Sequence, residues 1–135
     1  MAGYSSTPLA TKLGIKTGHR VLLDGAPSGF NLGGLPDDVV VHRRASTGPY
    51  HVIVCFCADR ARLDGRWAAL HCRTTQAGML WIAWPKRASG VASDLGDNAV
   101  REYVLSHGRV DVKICAIDDV WSGMGNVIRL RDRSK

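Results

Sequence analysis

The stretch Met79–Gly90, reading MLWIAWPKRASG, constrains the fold more than any other. Its apolar half, Met79–Trp84, has the length and continuity of a strand buried on both faces, the kind that parallel sheets contain. Pro85 ends the run, and Lys86, Arg87, Ser89 and Gly90 follow at once. A second run of the same character, Tyr50–Cys57 (YHVIVCFC), lies upstream and is strongly β-forming. Between the two, Asp59 is placed to cap a helix running to Gln76, with Gly78 closing it. Leu63, Trp67, Leu70 and Thr74 recur there at helical spacing and form its core-facing stripe. Strand, helix and strand in this order predict an α/β domain with a mostly parallel sheet.

The rest of the chain extends that plan. Thr7-Pro8 before LATKLG predicts a short capped helix, with Gly14 past its end and Leu9 and Leu13 on its inner face. His19–Leu23 is the first strand, followed by the turn Asp24–Gly29. Phe30–Leu35 contains Gly33 and Gly34, which weaken a helix there. Val39–Val41 is the second strand and leads into His42-Arg43-Arg44. The link Ala45–Pro49 is shorter than the dozen or so residues of an ordinary parallel crossover. Either that pair of strands is antiparallel, or the chain crosses in extended form without a helix. Downstream, Ser93, Asp94 or Asp97 caps a second helix that ends at Gly108, with Val100, Val104 and His107 in its stripe. Val110–Ile117 alternates: Val110, Val112, Ile114 and Ala116 face one way and Asp111, Lys113 and Cys115 the other. Asn126–Leu130 is the last strand, Trp121-Ser122-Gly123 belongs to the connection before it, and the basic end RLRDRSK is expected to fray.

Ligands of open α/β sheets bind in the crevice outside the carboxyl ends of the strands. The candidate ligand edge is therefore Asp24, Gly25 and Gly29 after the first strand, Arg43 and Arg44 after the second, and Lys86, Arg87 and Ser89 after the central one. Guanidinium forks suit phosphate or carboxylate, so the expected ligand is a phosphate-bearing or carboxylate small molecule. The competing reading is that these cations simply meet solvent at strand ends. The turn at Asp24–Gly29 is a poor nucleotide fingerprint, because Ala26-Pro27 stands where a second glycine is needed and Pro27 has no N–H to offer. Arg43 and Arg44 stand where an adenosine-binding domain carries an acid for the ribose hydroxyls. No cofactor and no catalytic residue is assigned from these patterns.

The four cysteines, Cys55, Cys57, Cys72 and Cys115, read as reduced core residues, with Cys55 and Cys57 on one strand face and no zinc-type spacing among them. A formal net charge of +6 favours anionic partners in general. Arg60, Arg62, Arg66 and Arg73 read as a solvated helix face. A nucleic-acid surface is the weaker reading, since no motif accompanies them and no aromatics are interleaved. Trp121 is a candidate partner-binding anchor, suited to a homodimer through the final strands, or else a lid packed on the last helix. No apolar run approaches the ~18 residues that span a bilayer, and the start of the sequence lacks a secretory pattern, so the expected address is the cytoplasm. The 135 residues suit a single domain.

The ending of one helix and two adjacent strands resembles the close of class I methyltransferase folds, where the last strand returns antiparallel between its neighbours. The resemblance implies a shortened Rossmann-like domain, missing the helix-strand-helix expected between His42 and Tyr50, and it brings no catalytic motif with it. A second resemblance is closer. Tyr4-Ser5-x-Thr7-Pro8-Leu9-x-x-Lys12-Leu13-Gly14-Ile15-Lys16, Trp84-Pro85-Lys86-x-x-Ser89-Gly90, Asp111-Val112-Lys113-x-Cys115-Ala116-Ile117-Asp118 and Trp121-Ser122-Gly123 are similar to a family of small bacterial proteins catalogued as a domain of unknown function. This sequence departs from that family at Asn31-Leu32-Gly33-Gly34, where a more helical stretch is expected.

Three functions compete. The first is a non-catalytic binding module for an anionic small molecule or a protein partner. The second is a reduced S-adenosylmethionine-dependent, methyltransferase-like enzyme with Asp24 or Asp59 as base. Nucleic-acid binding is the minor third. The absence of a nucleophile–base pair and of a proper glycine fingerprint favours the first.

Overall fold

The computed structural model describes residues 7–133. Helix α1 (Leu9–Lys12) leads into β1 (Arg20–Asp24), β2 (Val40–His42) and β3 (Tyr50–Phe56). Then come α2 (Arg60–His71), β4 (Thr74–Pro85), α3 (Asp97–Ser106), β5 (Arg109–Ala116) and β6 (Trp121–Ile128). The strands form one sheet in the order β2-β1-β3-β4-β6-β5. Pairing is parallel from β2 through β4, and β6 runs antiparallel between β4 and β5.

β2 and β3 flank β1 and both run parallel to it, so the chain crosses from one to the other without a helix. The crossing segment bends at 43–44 and 47–48 and is held by its neighbours. Arg20 donates to the carbonyls of Thr47 (2.9 Å) and Pro49 (3.2 Å), and Arg73 donates to that of Ser46 (3.0 Å).

Alternation along the strands gives two cores. Leu22, Ile53, Cys55, Leu80, Ile82, Trp84 and Met124 lie beneath Leu63, Trp67 and Leu70 of α2 and Val100, Tyr103 and Val104 of α3. Val21, Leu23, Val52, Val54, Phe56, Trp81 and Ala83 form the other face, covered by Ala10, Leu13, Phe30 and Leu32. Trp81 is fully buried there, and its indole N–H donates to the Leu13 carbonyl at 3.0 Å. The β6 glycines make room for that ring. A Cβ at Gly125 would lie 2.9 Å from it, and one at Gly123 would lie 2.7 Å from Ile117 Cδ1.

Several local expectations are corrected. α2 stops at His71, and Thr74 and Gly78 belong to β4 rather than to the helix, because Thr74 pairs with Tyr50 in the sheet. The turn between them is fixed by Arg109. This arginine, 1% exposed, donates to Asn126 Oδ1 (2.7 Å), the His71 carbonyl (3.2 Å), Thr74 Oγ1 and the Gly78 carbonyl (both 3.4 Å). Burial and the nearby Arg133 charge draw its pKa down to about 10, which leaves it charged at neutral pH.

α1 has no side-chain cap and begins after Pro8, so Thr7 is not its capping residue. Gly96 is the N-cap of α3, while Asp94 accepts from the Arg60 N–H (2.8 Å) and so caps the start of α2 beside Asp59. β5 carries a bulge between Asp111 and Lys113, which breaks the regular alternation and leaves Val112 and Ile114 exposed on an edge strand. β6 begins at Trp121, so Trp121-Ser122-Gly123 is strand and not connection. Leu130–Asp132 form a single 3₁₀ turn in place of a fraying end, and residues 134–135 lie outside the described residues, as do Tyr4 and Ser5. No described helix is long and apolar enough to cross a membrane.

Candidate functional site

The carboxyl ends of β1, β3 and β4 lie along one edge of the sheet, and the antiparallel β6 begins there. The strand order reverses between β1 and β3, so the crevice between their ends is the topological switch point where ligands of such sheets bind. Here protein fills it. Asp24, 7% exposed, accepts from Arg66 at both oxygens (2.8 and 3.0 Å) and from Arg62 Nη2 at 3.0 Å. Arg62 also donates to the Phe56 carbonyl at 2.8 Å. The hydrogen bond with Asp24 raises the pKa of Arg66 further. Cys55 Sγ lies 3.5 Å from Asp24 and 3.4 Å from Cys57 Sγ, and that thiol contact together with burial pushes the Cys55 pKa up. A Cβ at Gly25 would collide with the Arg62 guanidinium.

The other candidates on this edge divide sharply. Gly25 and Gly29 have positive φ, at 72° and 82°, and serve the turn after β1. Arg43 donates to the Phe30 carbonyl and so closes the loop between β1 and β2. Arg44 is exposed beyond the end of β2. Ser89 is spent within its own turn, donating to the Lys86 carbonyl (2.6 Å) and accepting from the Val91 N–H (3.2 Å). Asp59 accepts from the Arg62 N–H and is the cap of α2. The helix arginines do not form a free face. Arg62 and Arg66 turn inward, Arg60 lies over the Tyr103 ring and pairs with Asp64, and Arg73 holds the crossing segment. Trp121 packs edge to face on Phe56 at 5.2 Å, on the α1 face and away from α3.

Lys86 and Arg87 are unpartnered, like Arg44, but unlike it they line a cleft. Among the described residues their cationic heads have neither a hydrogen-bond partner nor an ion pair. They line a cleft of about 670 Å³ beyond the end of β4. Trp84, Pro85 and Leu95 line it as buried residues, with Val91 and Ile114 beside them and Gly96 and Asp97 at the start of α3. Leu95, Asp97 and Ile114 were not singled out from the sequence as site residues. Ile114 is brought in by the bulge, which no periodicity announces. No group of three or more His, Cys, Asp or Glu side chains among the described residues is arranged to hold a metal ion.

No family model matches the chain, and no curated protein is a significant match. Solved structures do match. An rRNA methylase from Streptococcus thermophilus superimposes with a TM-score of 0.55 at 10% identity, over 94% of this chain and 100% of that one. A chain of a fibrillarin/Nop5p complex gives 0.53 at 13% identity, over 82% of this chain and 73% of that one. The fold is thus a Rossmann-like α/β fold of the methyltransferase type. The cofactor that such a fold implies, S-adenosylmethionine, does not fit the residues present at its switch point. The Arg62 guanidinium stands against Gly25, both Asp24 oxygens are taken, and Arg43 stands where an acid would hold the ribose.

Proposed function

We propose that this protein is a non-catalytic binding module for an anionic small molecule, held in the cleft at the carboxyl end of β4. The observation that carries this reading is the contrast among its cations. Arg20, Arg43, Arg62, Arg66, Arg73 and Arg109 all donate to acceptors within the chain, whereas Lys86 and Arg87, unpartnered like the exposed Arg44, are set apart by lining a cleft of about 670 Å³. Unpaired cations beside partly apolar walls supply orientation and charge selection to a bound anion. The filled switch point argues against the methyltransferase-like alternative, and the inward-turned helix arginines against nucleic acid.

The test is a thermal-shift panel of inorganic phosphate, sugar phosphates, nucleotides, S-adenosylmethionine and simple carboxylates. A ligand that binds the native state raises its melting temperature once it exceeds its dissociation constant. At least one anion is expected to stabilise the wild type, and Lys86→Ala with Arg87→Ala to abolish the shift while leaving the unliganded melting temperature unchanged. A shift by S-adenosylmethionine that survives both substitutions would instead restore the enzyme reading.

A further inference from the structure

We infer that the ligand of this cleft is a singly charged organic acid with a branched or aromatic body, not a nucleotide or polyphosphate. The inference rests on the anion-binding reading above and narrows it. The first ground is the exposed apolar part of a mixed lining. Trp84 and Leu95 are only 6% and 8% exposed, whereas Val91 and Ile114 are 49% and 42% exposed, large apolar side chains lining the same cleft. The bulge in β5 sets Ile114 opposite Met124, and hence on the side of the sheet that α3 covers. A volume of about 670 Å³ falls within the ~300–1,000 Å³ typical of sites for organic molecules.

The second ground is that much of what could serve as a phosphate cradle is engaged within the loop. Polyphosphates are held by successive backbone N–H groups aimed at one point. In this loop four of those groups are already used. The Ser89 N–H donates to the Lys86 carbonyl, Gly90 to Arg87, Val91 to Ser89 Oγ and Leu95 to Ser93 Oγ. At the start of α3 the Asp97 carboxylate takes the Asn98 N–H, so the helix terminus carries its own anion.

The third ground is charge. Lys86 and Arg87 face one carboxylate, Asp97, among the lining residues, which leaves a single net positive charge for the ligand to neutralise. A monoanion matches this, while each further negative charge on a ligand meets Asp97.

The test is calorimetric titration of the full chain with 3-phenylpropanoate, its neutral amide and inorganic phosphate. The acid is expected to saturate, with the amide and phosphate each weaker by about tenfold or more. Lys86→Ala and Ile114→Asp should each weaken the acid by a similar factor, one through charge and the other through the wall. Asp97→Asn should improve phosphate relative to the acid. Ile114 and Asp97 are exposed, so neither variant disturbs the core. Phosphate binding more tightly than the acid, in a manner dependent on Lys86, would overturn this inference and leave the anion-binding reading intact. Acid binding indifferent to Ile114→Asp would also overturn it. Equal binding of acid and amide, or no saturable binding of the acid, would overturn this inference, and no binding of any anion in the thermal-shift panel would overturn both.

Discussion

Asp24 receives three hydrogen bonds from two guanidiniums while 7% of it meets solvent, so its removal strands two like charges side by side. Asp24→Ala is expected to cost about 2 kcal/mol in urea unfolding, less than a fully buried pair would, because Arg62 and Arg66 stay about a third exposed. An unchanged unfolding midpoint would mean that the cluster is ornamental. Lys86→Ala, on the same edge, should leave that midpoint alone. The placement of Lys86 and Arg87 at a strand end was legible because Pro85 stops an apolar run where they begin. The partners of Asp24 were not, since they lie 38 and 42 residues away. Arg62 and Arg66 are one helical turn apart, which puts them on one helix face, read from the sequence as solvated, and says nothing of a shared acceptor.

Among the elements, β6 depends most visibly on its glycines. Gly123→Ala would force a Cβ to 2.7 Å from Ile117 and 3.2 Å from Trp81, and should destabilise by about 1–3 kcal/mol. Gly65→Ala in α2 meets nothing within 4 Å and should stabilise by about 0.5–1 kcal/mol, since glycine is a poor residue in a helix interior. Chemical denaturation of the two variants checks both signs at once. The same glycines explain why β6 was read too short. Gly123 and Gly125 lower strand propensity, and their reason for being there is the Trp81 ring on another strand. The early end of α2 was equally hidden. Thr74 fits the helical stripe, and what moves it into β4 is pairing with Tyr50 and a hydrogen bond from Arg109, both distant in sequence.

At the scale of the whole molecule, the order of elements was legible, because buried runs, helical stripes and short links leave few topologies. The antiparallel return of β6 between β4 and β5 was expected through the resemblance to class I methyltransferase folds. The path from β2 to β3 stayed open until the arginines holding it were visible. Stability as a whole should depend on pH through His19 and His71. Burial first, and then neighbouring positive groups, lower both pKa values from the usual 6.5. The unfolded chain therefore binds protons that the folded one refuses. This contribution is complete above pH 6.5 and is lost as the pH falls below it, until the folded-state histidines themselves protonate. Urea midpoints should fall between pH 7 and pH 5, and His71→Gln should flatten that slope; a flat wild-type profile would contradict it.

The two faces of the sheet are unequally roofed: α2 and α3 cover one, while the four-residue α1 and the loop carrying Phe30 and Leu32 cover the other. Lifting that thin roof would wet Val21, Val54 and Trp81 without unpacking either long helix. The molecule should thus open at two thresholds, with the bond between the Trp81 indole and Leu13 as the latch of the lower one.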